Sequence, residues 1–305
     1  MSRQRGWLGN AAAAANLTAG RADAWLAGSL CALGYLAWLP LLVTVAGLPS
    51  RSDLAFAGAR LFSSGSFPLN VLLLGSLAAL LLLVGCLVAA LGDAAILRST
   101  GRGTHRSLTH DTEAAFGIVL LAALPAVATL AAIAIGIAIV APGEFGAPDL
   151  DGPLLLRIAA QLLPLWLVLV ATVLVGQAFG AVTMRRAIGV EEGTLTSALR
   201  AGLGDLVRNP LRRLGVAATG TAADLLAIAL ALALLRVLWA PIRVELAGGG
   251  LLSPGVLILL VGFVATWLAI VLLFGALHAW ISNWWSLELG PAADEVGPPA
   301  LEVGP

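Results

Sequence analysis

The stretch LNVLLLGSLAALLLLVGCLVAALG, residues 69–92, decides the fold. It carries no acidic or basic side chain, and its Leu, Val and Ala residues recur on every side rather than along one stripe. A helix of this length rises about 36 Å, more than the roughly 30 Å of a bilayer's hydrocarbon core. A water-soluble helix keeps a polar face; one that is apolar all round lies in protein or in lipid. Five more stretches repeat the pattern, at 24–47, 114–141, 158–184, 214–240 and 255–282. Read as buried strands they would be far too long, since none is punctuated by turns. The expected fold is therefore all-α: a polytopic bundle of six transmembrane helices, forming one domain over residues 1–290 with a short polar tail at 291–305.

Composition agrees. Charged residues make up 11% of the chain, where a soluble domain has about a quarter. Mean hydropathy is +0.98. The connections between spans are too short to build a separate core, which leaves no room for a soluble catalytic domain. All 17 basic residues are Arg, which with the Ala, Gly and Leu excess is a signature of a GC-rich prokaryote. A formal net charge of zero argues against a nucleic-acid partner. Cys31 and Cys86 lie at similar depth in the first two spans and are expected as two buried thiols. The first span exceeds the 7–15 apolar residues of a signal peptide and is expected as a retained helix.

Arginine placement sets the orientation, because arginines in short loops resist translocation. With the N-terminus inside, Arg3, Arg5, Arg21, Arg98, Arg102, Arg106, Arg185, Arg186, Arg200, Arg208, Arg212 and Arg213 are cytoplasmic. Arg51, Arg60, Arg157, Arg236 and Arg243 remain outside or at the outer interface. Both termini are expected in the cytoplasm, in a cell inner membrane, with loops 48–66, 142–153 and 241–254 outside. Loop 48–66 has room for a short interfacial helix or a plain loop. The layout divides into three helical hairpins, each preceded by an inner segment rich in Arg and small residues.

The inner segment TLTSALRAGLGDLVRN, residues 194–209, spaces Leu195, Leu199, Leu203 and Leu206 along one helical side. Thr194 is a fitting N-cap, and Pro210 ends the helix because a residue before Pro avoids the α region. The spacing predicts an amphipathic helix on the inner leaflet over 194–208, and residues 8–22 do the same more weakly. Gly176 and Gly180 form a GxxxG in the fourth span, a candidate for close helix packing. Pro40, Pro125 and Pro164 lie inside spans and are expected to kink them.

Few residues carry chemistry. Asp224 lies about 16 Å beyond Arg213 along the fifth span, near the midplane. A carboxylate there costs roughly 2.5–3.5 kcal/mol on insertion scales and needs a partner or a proton. Thr221 shares its helical face, and Gln177 reaches a comparable depth in the fourth span. Asp224, Thr221 and Gln177 thus form a candidate intramembrane polar site, either a proton or cation relay or a hydrogen-bonded glue between helices. Arg236 snorkels to the outer interface. His105, His110, Asp111 and Glu113 cluster in an inner loop without metal-ligand spacing, and His278 reads as a polar contact at headgroup level. Trp25, Trp239, Trp280, Trp284 and Trp285 sit at span ends and read as interfacial anchors. No nucleotide loop, serine-hydrolase elbow or zinc-protease motif is present, so no catalytic residue, cofactor or metal is expected.

From Met184 the chain reads MRRAIGVEEGTLTSALRAGLGDLVRNPLRRL. This segment resembles the inner segment of six-span prokaryotic proteins of the glycerophosphoryl diester phosphodiesterase membrane-domain-like group. The matching positions are Arg186-Ala187, Glu192-Gly193, Ala198-Leu199-Arg200 and Arg212-Arg213. The resemblance implies a six-span membrane domain; in that group chemistry belongs to a separate soluble barrel, so no catalytic residue transfers here. The expected function is a non-enzymatic accessory or scaffolding component, in a lipid bilayer with a protein partner or as a homo-oligomer. The alternative is a permease for an apolar or lipid-like substrate.

Overall fold

In the computed structural model, residues 6–35, 37–47, 56–57, 60, 63–100, 107–145, 154–188, 194–249 and 253–290 are described. His105, the Glu192-Gly193 turn, most of loop 48–66, residues 146–153 and the tail 291–305 lie outside them. The helices are α1 (Trp7–Ala19), α2 (Ala22–Gly34), α3 (Leu39–Ala46), α4 (Leu69–Ser99) and α5 (Leu108–Phe145). They continue as α6 (Leu154–Gln161), α7 (Leu163–Ile188), α8 (Leu195–Arg208), α9 (Pro210–Gly249) and α10 (Pro254–Leu289). No strand occurs among the described residues. Five helices are long and apolar enough to cross a membrane, and α2 with α3 makes a sixth if the pair is one broken span. The protein is an all-α polytopic helix bundle.

Prolines shape it in three ways. The expected first span is two helices bent by 51°, with Pro40 in the first turn of α3. A first-turn proline has no intrahelical N–H partner to lose, so it starts a helix rather than kinking one. Pro164 does the same for α7, which follows α6 after a break at Leu162. Pro125 and Pro142, by contrast, lie inside the unbroken α5. The expected outer loop 241–254 is corrected: α9 runs through Pro241 to Gly249, leaving a much shorter connection. What carries it past the proline is packing, since Ile242 is fully buried in an apolar cluster with Leu235, Phe263 and Ile270.

Neighbour packing closes the five long apolar helices and α2 into a ring, α2–α4–α5–α7–α9–α10 and back to α2. At the arginine-rich end the ring is filled. Ala90, Ala94, Leu97, Ile118, Ile188 and Ala198 form one cluster there, and Ala14, Val182, Val216, Trp284 and Trp285 another. At the opposite end the core splits in two, one part between α3, α9 and α10 and one between α5, α6 and α7. Between them α4 stands off: every residue from Leu72 to Val84 is exposed, on all sides of the helix. The break after Gly34 explains this, since α3 turns away to pack on α9 and leaves the far half of α4 uncovered. The bundle is thus closed at one end and splayed at the other.

The inner amphipathic elements lie at the closed end. Thr194 caps α8, its hydroxyl accepting from Ser197 N at 3.2 Å. The face of α8 that meets the bundle differs from the leucine stripe, however. Ala198 and Gly202 are buried, Leu199 and Leu206 half-buried, and Leu195 and Leu203 exposed. Small residues win the contact because they let the backbone approach, with Thr183 of α7 directly against Gly202. The tryptophans are also corrected. Trp284 and Trp285 are buried in the protein core rather than in an interfacial belt, with the Trp7 ring of α1 5.0 Å from that of Trp284 and tilted 52° to it. Asn10, Ala14 and Thr18 of α1 are buried, so this helix docks on α10 and not merely on the leaflet.

Candidate functional site

Close helix packing builds the site. α2 lies between α4 and α10, and at each contact the facing residue is too small to hold them apart. A Cβ added to Gly28 would sit 2.1 Å from the Gly275 carbonyl oxygen, and one on Gly34 would sit 2.4 Å from that of Gly85. Ser29 spans the same seam, with Trp25 O at 2.9 Å and Val271 O at 3.3 Å from its hydroxyl. Gly92 of α4 faces Cys31, where any side chain would collide with the sulfur. Three helices held this close bring one polar side chain each to a common point.

That point is Asp93. Its Oδ1 lies 3.1 Å from His278 Nε2 and 3.5 Å from Cys31 Sγ. Tyr35 lies beside the same carboxylate, its ring 5.8 Å from that of His278. Cys31 is fully buried, while the Asp93 and His278 side chains keep 14% and 21% of their surface. Asp224 of α9 lies within electrostatic reach of His278 and is half-buried. Thus α2, α4, α9 and α10 all send ionisable groups toward one region, some 9 Å along α4 from its end at Ser99. His278 accordingly sits in a polar cluster with Asp93 and Cys31, not as a lone polar group.

The residues singled out from the sequence fall in two places. Thr221 and Gln177 meet, with Oγ1 and Oε1 2.8 Å apart, while the Thr221 hydroxyl also lies 2.9 Å from Ala217 O. A hydroxyl has one proton, so both contacts are satisfied when the Gln177 amide turns its nitrogen toward Thr221. Asp224 makes no hydrogen bond to either of them among the described residues; the expected glue between Asp224 and this pair is replaced by its proximity to His278. Gln177 is exposed although it lies mid-span between buried Gly176 and Ala178. An amide facing acyl chains would be costly, and the Thr221 hydroxyl is the partner it meets. Gly176 and Gly180 both face Ala122 of α5, the former against its carbonyl oxygen.

Of the expected inner-loop cluster, Asp111 is buried and pairs with Arg98 at 3.0 Å. Arg236 is exposed, as snorkelling requires. Sequence reading passes over Asp93 because a span ending at Gly92 puts it in the loop. Its signal was present: α4 continues to Ser99, and Asp93 lies seven residues from Cys86 on one helical face. Compared with known protein families, with curated proteins and with solved structures, the chain matches none.

Proposed function

We propose that this chain is a permease, not an enzyme, and that Cys31, Tyr35, Asp93, Asp224 and His278 are its working centre. One arrangement carries the reading: ionisable groups from four helices converge about 9 Å along α4 from Ser99, next to the half of the bundle where α4 stands uncovered. Polar groups within spans are costly and mark ion or substrate paths by default. The accessory role expected from sequence rested on there being only Asp224 and Gln177 near the midplane, and the convergence weighs against that premise. The mostly apolar walls of the splayed half suit an apolar or lipid-like substrate, with the polar cluster supplying a proton or cation step. The orientation we propose has both termini cytoplasmic in a cell inner membrane, which puts the splayed half outside. The arginine bias supports it, together with the gathering of Arg98, Arg185, Arg212 and Arg213 at the closed end. The Arg186-to-Arg213 pattern supports kinship with the phosphodiesterase membrane-domain-like group.

The test is cysteine accessibility in a background lacking Cys31 and Cys86. In outside-out vesicles, Gln177→Cys is expected to react with an impermeant thiosulfonate about tenfold faster than Leu226→Cys, because thiolate forms only where water reaches. Ser197→Cys should react only after the vesicles are opened. Equal rates at 177 and 226 would refute the permease, and outside labelling at 197 would reverse the orientation. A second reading, the accessory subunit, draws on the uncovered far half of α4. Its mark would be a stoichiometric partner retained in mild detergent.

A further inference from the structure

We propose that Cys31, Asp93 and His278 form a binding site for a divalent transition ion of the zinc class. The proposal deepens the permease reading and rests on it in taking this cluster as the working centre.

The ligand types come first. Thiolate, imidazole and carboxylate are the set that borderline divalent ions select, whereas hard ions such as Mg2+ and Ca2+ prefer oxygen alone. The three candidate ligand atoms all lie within 4.8 Å of one another. Tetrahedral Zn2+, with bonds of about 2.0–2.3 Å, sets an O–N edge of about 3.3 Å and an O–S edge of about 3.5 Å. The corresponding separations here are 3.1 Å and 3.5 Å. Two of the three edges thus match tetrahedral geometry to within about 0.2 Å.

The surroundings favour the same conclusion. Each ligand comes from a different helix, and the α2 seam fixes their backbones by direct contact at Gly28, Gly34 and Gly92. Tyr35 packs beside the cluster from outside the ligand set, its ring 5.8 Å from that of His278. Charge also balances. A thiolate and a carboxylate neutralise a dication, so the filled site carries no net charge into a low-dielectric membrane, where an unbalanced charge would be expensive. Three protein ligands leave a fourth tetrahedral position for water, the arrangement of sites that exchange what they bind rather than lock it. A purely structural trio, His278 and Cys31 both bonded to Asp93, would satisfy the same hydrogen bonds. It gives no reason for a thiol at the spot, and the experiment separates the two.

Full-length protein in mild detergent, stripped with chelator, is titrated with Co2+, whose thiolate ligation gives a near-ultraviolet charge-transfer band and strong tetrahedral visible bands. We expect about one Co2+ per chain, displaced by Zn2+. The charge-transfer band should vanish in Cys31→Ser and persist in Cys86→Ser, and Asp93→Asn and His278→Gln should lose tight binding. Wild-type protein without the band overturns the proposal whether or not any variant folds. A band that survives in folded Cys31→Ser also overturns it. Because Gln177→Cys labelling reads the splayed interior independently, cobalt binding without labelling would sink the permease and spare the metal site. Labelling without cobalt binding would do the reverse.

Discussion

Gly28→Leu is expected to abolish the native bundle, with no monodisperse protein recovered in mild detergent. The Cβ alone would lie 2.1 Å from Gly275 O and 2.9 Å from Gly275 C, both backbone atoms of α10. No rotamer avoids this, because the clash occurs before the first side-chain torsion. Relief requires moving α2 away from α10 by more than an ångström, which breaks the Ser29 contact to Val271 O and opens the α2–α4 seam behind it. Overpacking in a core typically costs about 1–3 kcal/mol when side chains can yield, and backbone against backbone lies beyond that range. Gly262→Ala is the contrast. A Cβ there meets nothing within 4 Å, on the same helix. Relief of glycine's backbone entropy should leave this variant unchanged or stabilised by about 0.5–1 kcal/mol. Thermal unfolding in detergent measures both, and a Gly28→Leu midpoint equal to that of wild type would refute the close-packed seam.

That pair of glycines shows how far the sequence could be read. Both look alike in a chain with 35 glycines. What separates them is which face of the helix meets another helix, and all-round apolarity erases the stripe that would reveal it. The same cause hid Asp93, since hydropathy marks where apolar residues stop and not where a helix ends. Elements with a real amphipathic signal were legible: Thr194 does cap α8, and Pro210 does follow its end. Length and apolarity sufficed for the helix bundle. Asp224 and Gln177 were visible as polar groups within spans, yet their partners were not. Side chains at matching depth on different spans give no sequence spacing, so Thr221 went to Gln177 and Asp224 to His278 only once the helices were placed.

Glu288→Ala is expected to release α1 from the closed end. Glu288 lies just past the last apolar stretch, yet its side chain is wholly buried. One carboxylate oxygen accepts from Asn10 Nδ2 at 2.9 Å, the other pairs with Arg212, and the backbone oxygen takes a bond from Arg213 at 3.3 Å. Breaking a buried pair usually costs about 3–5 kcal/mol because a charge is left stranded. Arg212 keeps 43% of its side-chain surface, so water takes over part of that role. The lasting penalty is the buried, unpartnered Asn10 amide together with the lost α1–α10 link, for about 2 kcal/mol. Trp280 Nε1 to Ala11 O and Asn283 Nδ2 to Thr18 Oγ1, both 2.9 Å, still tether the helix, so the loss is a shift in docking and not global unfolding. Trypsin reads it directly at Arg21, on the connection between α1 and α2. A cost of about 2 kcal/mol corresponds to roughly thirtyfold faster cleavage there, if opening is fast relative to proteolysis. Glu288→Gln, which retains an oxygen for Asn10, should fall between the variant and wild type. Cleavage at Arg21 unchanged in Glu288→Ala would mean that Trp280 and Asn283 hold α1 without help from Glu288.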